Sequence, residues 1–439
     1  MKTKKNSMVL ALAALVLVAA CGEQEVIIPG ERLDVFGQPE AATVDELVDR
    51  AQPLALAPAS VNADWSHRNG NVAHSLAHPS LGRALRPVWS ADIGQGNDRK
   101  HRITADPIVW NGRVFTMDSR ALMTAVTTEG ASLWTRDLTP PADRIDDASG
   151  GGIAASADGL FVTTGFGELT ALDPATGDVL WVQDLESAAT GAPTVSDGVV
   201  YVVTRNSLGW AIDAQTGRIL WQALGASSDS GIAGGPSPVI AGPLVVFPLS
   251  SGQMISAVIG PGTQTWAATV AGQRPERAFS RISDLSGDPV FVDGVIYAGN
   301  HSGRAAAFDS TTGQPIWRAD EGAMSPLWVT GGSAFLITDE NRLTRLDAAT
   351  GEIIWAEDLP FFTKRRIARR KATFAHYGPI LAGGRLLVAS DDRQLREYDP
   401  VTGGFISAID LPRGAARNPV VAGGTLYIVT EDGQLHAFR

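Results

Sequence analysis

His74 and His78, four residues apart, are the one histidine pair spaced to set two imidazoles on a single helix face and hold a metal ion. The Glu that follows the first His in zinc proteases is missing, and Pro79 with its Asn, Gly and Ser neighbours favours a loop. No metal site is expected there. Cys21 is the sole cysteine, so no disulfide can form within the chain. There is no Gly-x-Ser-x-Gly elbow and no phosphate-binding Gly-x-x-x-x-Gly-Lys, and Gly150-Gly151-Gly152 reads as a flexible approach to a strand. We therefore expect no catalytic residue, no cofactor and no small-molecule substrate. The densest charge is Lys364, Arg365, Arg366, Arg369, Arg370 and Lys371, in a chain of net charge −11. That overall charge argues against nucleic-acid binding. The basic run is a candidate docking patch for an acidic partner or an anionic lipid headgroup, and Phe361, Phe362 and Phe374 flank it.

What positions these residues is a repeat. Ala171-Leu-Asp-Pro-Ala-Thr-Gly-Asp-Val-Leu-Trp181 recurs at 211–221, 307–317 and 345–355, with weaker copies ending at Trp134 and Trp266 and another running from Glu397 to Ile406. The end points lie roughly 38 to 51 residues apart, the period of propeller blades. In each copy an Asp can accept hydrogen bonds from backbone N–H groups ahead of it, and Gly supplies the positive φ that closes a turn. The Trp after each turn is expected to dock on the neighbouring blade, because one blade cannot bury it alone. Pairs of apolar strands joined by a Gly-containing hairpin precede each turn, as at 288–298 and 418–428.

After Asn418 only three strands fit before Arg439, and an orphan strand with its Trp stands at Pro87-Val88-Trp89-Ser90. The N-terminal strand is therefore expected to complete the C-terminal blade and remove the open edges. The predicted fold is all-β, an eight-bladed β-propeller of four-stranded antiparallel blades.

The N-terminus reads as a leader. Lys2, Lys4 and Lys5 precede an apolar run from Met8 to Leu17 that is too short to span a bilayer. Val18-Ala19-Ala20-Cys21 resembles a bacterial lipobox, which makes Cys21 the expected lipidation site, carrying palmitate-type acyl chains. Residues 1–20 are thus a predicted signal peptide, 21–62 a lipid-anchored tether and 63–439 the propeller. A short helix from Val44 to Arg50 is expected in the tether, with Thr43 and Glu46 as a capping-box pair.

The Asp-x-x-Thr-Gly-x-x-x-Trp turn resembles the repeat of pyrroloquinoline-quinone-like propellers over about residues 86–439. Two groups share it: the quinoprotein dehydrogenases and the BamB-like lipoproteins of the outer-membrane barrel-assembly machinery. The single Cys21 lacks the adjacent Cys-Cys pair that resemblance to the dehydrogenases implies. Arg281-Ile282-Ser283-Asp284-Leu285-Ser286 is similar to an Arg-x-Ser-Asp-x-Asp segment of the assembly lipoproteins, with Ser286 in place of the second acid. The resemblance makes Arg281, Ser283 and Asp284 candidate contacts to the periplasmic repeat domains of the barrel-inserting subunit; satisfying backbone groups at a blade approach is their other role. It implies a non-enzymatic scaffold at the outer membrane, facing the periplasm, with other assembly lipoproteins as further partners. Gly22, where Asp would favour inner-membrane retention, fits that location. A quinoprotein dehydrogenase and a polysaccharide-binding lipoprotein are the alternatives.

Overall fold

The computed structural model describes residues 52–439 except 227, 229–233, 271, 273 and 275–283. Cys21, the leader and the expected helix at 44–50 lie outside the described residues, as do Arg281 and Ser283. Among the described residues thirty-two strands form eight four-stranded antiparallel sheets. Seven are consecutive in sequence: blade one spans 108–137, then 151–184, 194–224, 239–269, 290–319, 328–358 and 376–410. The eighth pairs Pro87–Asp92 with Gln434–Phe438, followed inward by Thr425–Thr430 and Val420–Ala422. The composite blade is as expected.

Burial grades outward. Inner strands such as Val239–Ala241 are wholly buried, whereas outer strands such as Val179–Asp184 alternate between exposed and half-buried positions. This is the two-residue period of a strand with one face on a neighbour.

The repeated turn closes as its chemistry requires. The Asp213 carboxylate accepts from the Thr216 amide at 2.8 Å and its hydroxyl at 2.7 Å, while Gly217 sits at φ +71°. Thr312 does the same for Asp309. These hydroxyl and amide donors hold both carboxyls below their ordinary range.

The Gly has a second duty. Each repeat Trp lies over the turn Gly of the next blade: Trp89 on Gly130, Trp134 on Gly177, Trp181 on Gly217, Trp221 on Gly262, and so on to Trp355 on Gly403. A Cβ at any of these glycines falls 2.4–2.9 Å from the nearest ring carbon. Most of the indoles also donate to a turn carbonyl of that blade, as Trp181 does to Ala214 at 2.9 Å and Trp317 to Ala348 at 2.9 Å. Blade seven carries Ser407 at the Trp position, and its neighbour is blade eight, whose outer pair of strands has no connecting turn. Where there is no glycine to cover, there is no Trp.

Residues 62–81 run through the ring's axis. The segment enters at the hairpin end of the blades and visits their inner strands in order. Asn62 accepts from Gly423 of blade eight, and Trp65 exchanges backbone bonds with Val109 of blade one. Ser66 accepts from Ala155, His67 Nε2 from the Val195 amide at 3.0 Å, Val72 from Ile240 and Ala73 from Phe291. Trp65 stacks on Trp328 of blade six at 6.2 Å, and His78 Nε2 accepts from Gly384 of blade seven. Before it, Arg345 donates to the carbonyls of Gln52 and Pro53. A single-copy segment thus contacts all eight blades. His74 and His78 serve this plug separately, His74 Nδ1 on the Pro289 carbonyl and His78 Nδ1 on that of Ala57.

Two outcomes follow from this packing. Gly294, at φ +84° with open space around a Cβ, carries only the cost of a left-handed alanine, about 1–2 kcal/mol. Gly313→Ala additionally drives a methyl to 2.6 Å from the Trp266 ring and is expected to lose about 1–3 kcal/mol more. Urea midpoints that are equal for the two variants contradict the docking role.

Burial, reinforced by His74, pushes the His67 imidazole down to about 3. The unfolded chain titrates near 6.5, so unfolding takes up a proton below that pH. Stability from His67 is complete above about pH 6.5 and lost as pH falls toward 3, by up to about 1.4 kcal/mol per pH unit. Asp391, pushed up to about 6 by burial, works in the opposite sense over the acid part of that range. The diagnostic is therefore a difference: the stability gap between the wild type and His67→Gln narrows from pH 7 to pH 4. A gap independent of pH contradicts a neutral, buried His67.

Candidate functional site

The plug stops short of the opposite face, and above it the axis opens into a cavity of about 710 Å³. Its floor is set by a second repeat. The residue before a proline stands at the start of seven of the eight inner strands: Asp106, Ala192, Ser237, Asp288, Ser325, Gly378 and Asn418. Proline favours an extended conformation in the residue before it, and these positions form a ring about the axis, Gly378 departing from that conformation at φ +105°. Arg68 of the plug reaches into the ring, its Nε 3.3 Å from Asp106 and 3.1 Å from Asp288, and donates to the Gly235 carbonyl at 2.8 Å. Arg417 donates to Asp106 at 2.7 Å and Asn418 at 3.1 Å. Burial opposes charge on Arg68, but Asp288 and Asp106 outweigh it and hold the guanidinium above its ordinary value. Buried Arg68 and partly buried Arg417 are matched by two buried carboxylates, as desolvation demands.

Both axial carboxylates are thereby committed to arginines and leave no open acidic set for a cation. Among the described residues no group of three or more His, Cys, Asp or Glu is placed to hold a metal.

The cavity wall is largely apolar and includes Met324, Ile337, Phe361, Phe362 and Phe374. Tyr377 joins it, its phenol pushed up to about 12 by burial. His376 is tied at both nitrogens, 2.6 Å from the Ser390 hydroxyl and 2.8 Å from the Pro360 carbonyl, and burial lowers its basicity. It braces the base of the segment that overhangs the mouth.

That segment, 361–374, is a hairpin arm between blades six and seven. Phe362 bridges to Thr373, the Thr363 amide donates to the Ala372 carbonyl at 3.0 Å, and the Phe374 amide donates to the Phe361 carbonyl at 2.8 Å. A 3-10 turn, Ile367–Arg369, forms the tip. Asn341 staples the base through the Pro360 and Phe374 carbonyls. Lys364, Arg365, Arg366, Arg369, Arg370 and Lys371 are all exposed. None of the six side chains makes an ion pair among the described residues; Arg370 lies 4.9 Å over the Phe362 ring.

Asp284 lies on the same face but away from the arm. It is only 3% exposed, beside Thr190, Gly235 and Pro248. Leu285 bridges to Asn300, and the Ser286 hydroxyl bonds the Ala323 carbonyl. Ser286 and the arm's Phe361 and Phe362 border one cavity. Sequence reasoning missed Arg68, Asp106, Asp288, Arg417 and Asn418. The recurring residue-before-proline position was the available signal for three of them.

The fold has close counterparts. The crystal structure of BamB from Moraxella catarrhalis aligns with 81% of this chain and 100% of its own, with a TM-score of 0.67 at 20% identity. A europium-containing methanol dehydrogenase aligns with 86% and 98%, with a TM-score of 0.65 at 15% identity, which speaks for the shared fold alone. Among sequences, the outer membrane protein assembly factor BamB of Yersinia pestis is 25% identical over 327 residues, 73% of this chain and 80% of that one. The Escherichia coli protein of the same name is 23% identical over 335 residues, 75% and 82%. The family model described as outer membrane protein assembly factor BamB matches residues 119–357 and 366–439, and the chain belongs to that family.

Proposed function

We propose that this chain is a scaffold lipoprotein of the outer-membrane β-barrel assembly machinery, held at the outer membrane through Cys21 and facing the periplasm. It binds rather than reacts. The family match over most of the propeller carries the reading, and the filled axis agrees with it. A ring whose centre is occupied by its own residues 62–81 works through its rim loops. Those loops hold the periplasmic repeat domains of the barrel-inserting subunit, and the tether keeps them concentrated near the membrane without a tight interface.

The contact segment is 281–284, in which Arg281 and Ser283 precede Asp284. Burial of Asp284 governs how it is tested, because a lysine there places a cation in a desolvated site and disturbs the fold. Asp284→Asn keeps the shape and removes the charge. In pull-downs from detergent-solubilised membranes the wild type is expected to retain the barrel-inserting subunit. Arg281→Glu with Asp284→Asn weakens that capture, by about 2–5 kcal/mol if the pair is buried at the interface and less at a rim. A wild-type chain that captures no barrel-inserting subunit overturns the scaffold reading. Full capture by the double variant removes the segment from the interface.

A further inference from the structure

The arm sets exposed cations at the mouth of the cavity beneath it. Six exposed cations occupy eight residues of a protein whose net charge is −11, and none is neutralised by a carboxylate among the described residues. Ile367 at the tip is 80% exposed and Phe362 39%, so apolar surface is offered together with the charge. Inside, Met324, Ile337, Phe361, Phe362 and Phe374 supply apolar wall beside the polar His301, Asn341 and His376 and the carboxylate of Asp339, which Arg274 pairs. At the floor, Arg417 commits only its Nε, to Asp106, and its terminal nitrogens bond nothing among the described residues.

We infer that the arm and cavity form a binding site for an extended acidic peptide segment, one that sets an apolar side chain into the cavity and lays its carboxylates along the arm. The volume suits this, about 710 Å³ against the roughly 300–1,000 Å³ usual for ligand pockets. Complementarity of charge supplies the selectivity. The rest of the surface repels an acidic chain on average, while the arm's unpaired guanidinium groups pair carboxylates in bidentate fashion. Arg417 offers a further guanidinium at the depth where a carboxylate following the apolar residue arrives.

The geometry favours a peptide over an anionic membrane surface. A flat surface meets Ile367 and the tip cations but leaves the concave Phe361, Phe362 and Phe374 wall unused. The N-terminal segment also lies at the other end of the blades, with Gln52 and Pro53 on Arg345 and Ala55 against the Gly331 hairpin. The arm is thus on the face away from it. This site is separate from Asp284 and does not depend on the scaffold reading, since peptide binding is measured with the purified chain alone.

The test uses the full chain with Cys21→Ser and a fluorescent peptide alternating Asp and Phe, followed by anisotropy. Binding is expected for this peptide and is weakened about tenfold or more when Asn replaces each Asp. The same loss is expected when Arg365, Arg366, Arg369 and Arg370 are reversed to Glu, four exposed positions whose change leaves the fold intact. Phe362→Ser separates cavity from arm: it weakens binding of the Asp-Phe peptide but not the residual binding of an Asp-Gly peptide. Anisotropy that is equal for wild type and the charge-reversed variant overturns the proposal. So does flotation of the protein with phosphatidylglycerol vesicles when the peptide does not bind, which reassigns the arm to a lipid surface.

Discussion

Everything in this ring rests on a seam with no covalent link. Pro87–Asp92 pairs antiparallel with Gln434–Phe438, and Arg86 and Arg439 exchange backbone hydrogen bonds at 2.7 and 3.0 Å to close its end. Trp89 then covers Gly130 and donates to the Thr128 carbonyl of blade one at 3.0 Å, while its ring packs 5.9 Å from Tyr427 of blade eight. The orphan strand therefore holds both of its neighbours. Without it blade eight has an open edge and blade one loses the indole that joins it to the ring. Ser407 reads as the reciprocal mark of the seam, because the blade next to it has no turn glycine to receive a Trp.

The same stretch of chain that closes the ring also fills it. Residues leading to Pro87 thread the axis, and Arg68 ties that plug to Asp106 of blade one and Asp288 of blade five. Removing either carboxylate leaves buried Arg68 with one counter-charge in place of two, which is costly, so plug and ring are stable together. The two faces of the ring consequently differ. The hairpin end is occupied by the N-terminal segment, and the opposite end carries the arm, Asp284 and the cavity bordered by Ser286 and Phe361. A rigid ring suits a scaffold, since it fixes the spacing of rim loops contributed by distant parts of the chain.

How much of this was legible depended on repetition. The Asp-x-x-Thr-Gly turns and their Trp residues recur, so blade number, strand order and the composite blade could be read directly. The plug occurs once and has no apolar period; many of its bonds are backbone to backbone, and its side-chain bonds from His67, Arg68, His74 and His78 go to partners far away in sequence. His74 and His78 looked like a pair only because the partners that separate them, Pro289 and Gly384, are far away in sequence. The ring at the axis was a weaker repeat, one residue before each proline, whose side chains differ from blade to blade. Glycine's second role, yielding space to an indole of the preceding blade, needed the packed structure. The burial of Asp284 did too, because a carboxylate in a loop normally suggests exposure.

The central claim is that the N-terminal strand is an integral, permanently paired part of the ring rather than a docked tail. Hydrogen exchange of the native protein, resolved to peptides covering Pro87–Asp92 and Gln434–Phe438, tests it most directly. If the seam opens only with the whole ring, both peptides exchange as slowly as the inner strands Thr425–Thr430 and Val239–Ala241. Exchange of Pro87–Asp92 at the rate of a fraying terminus, with the inner strands still protected, contradicts it.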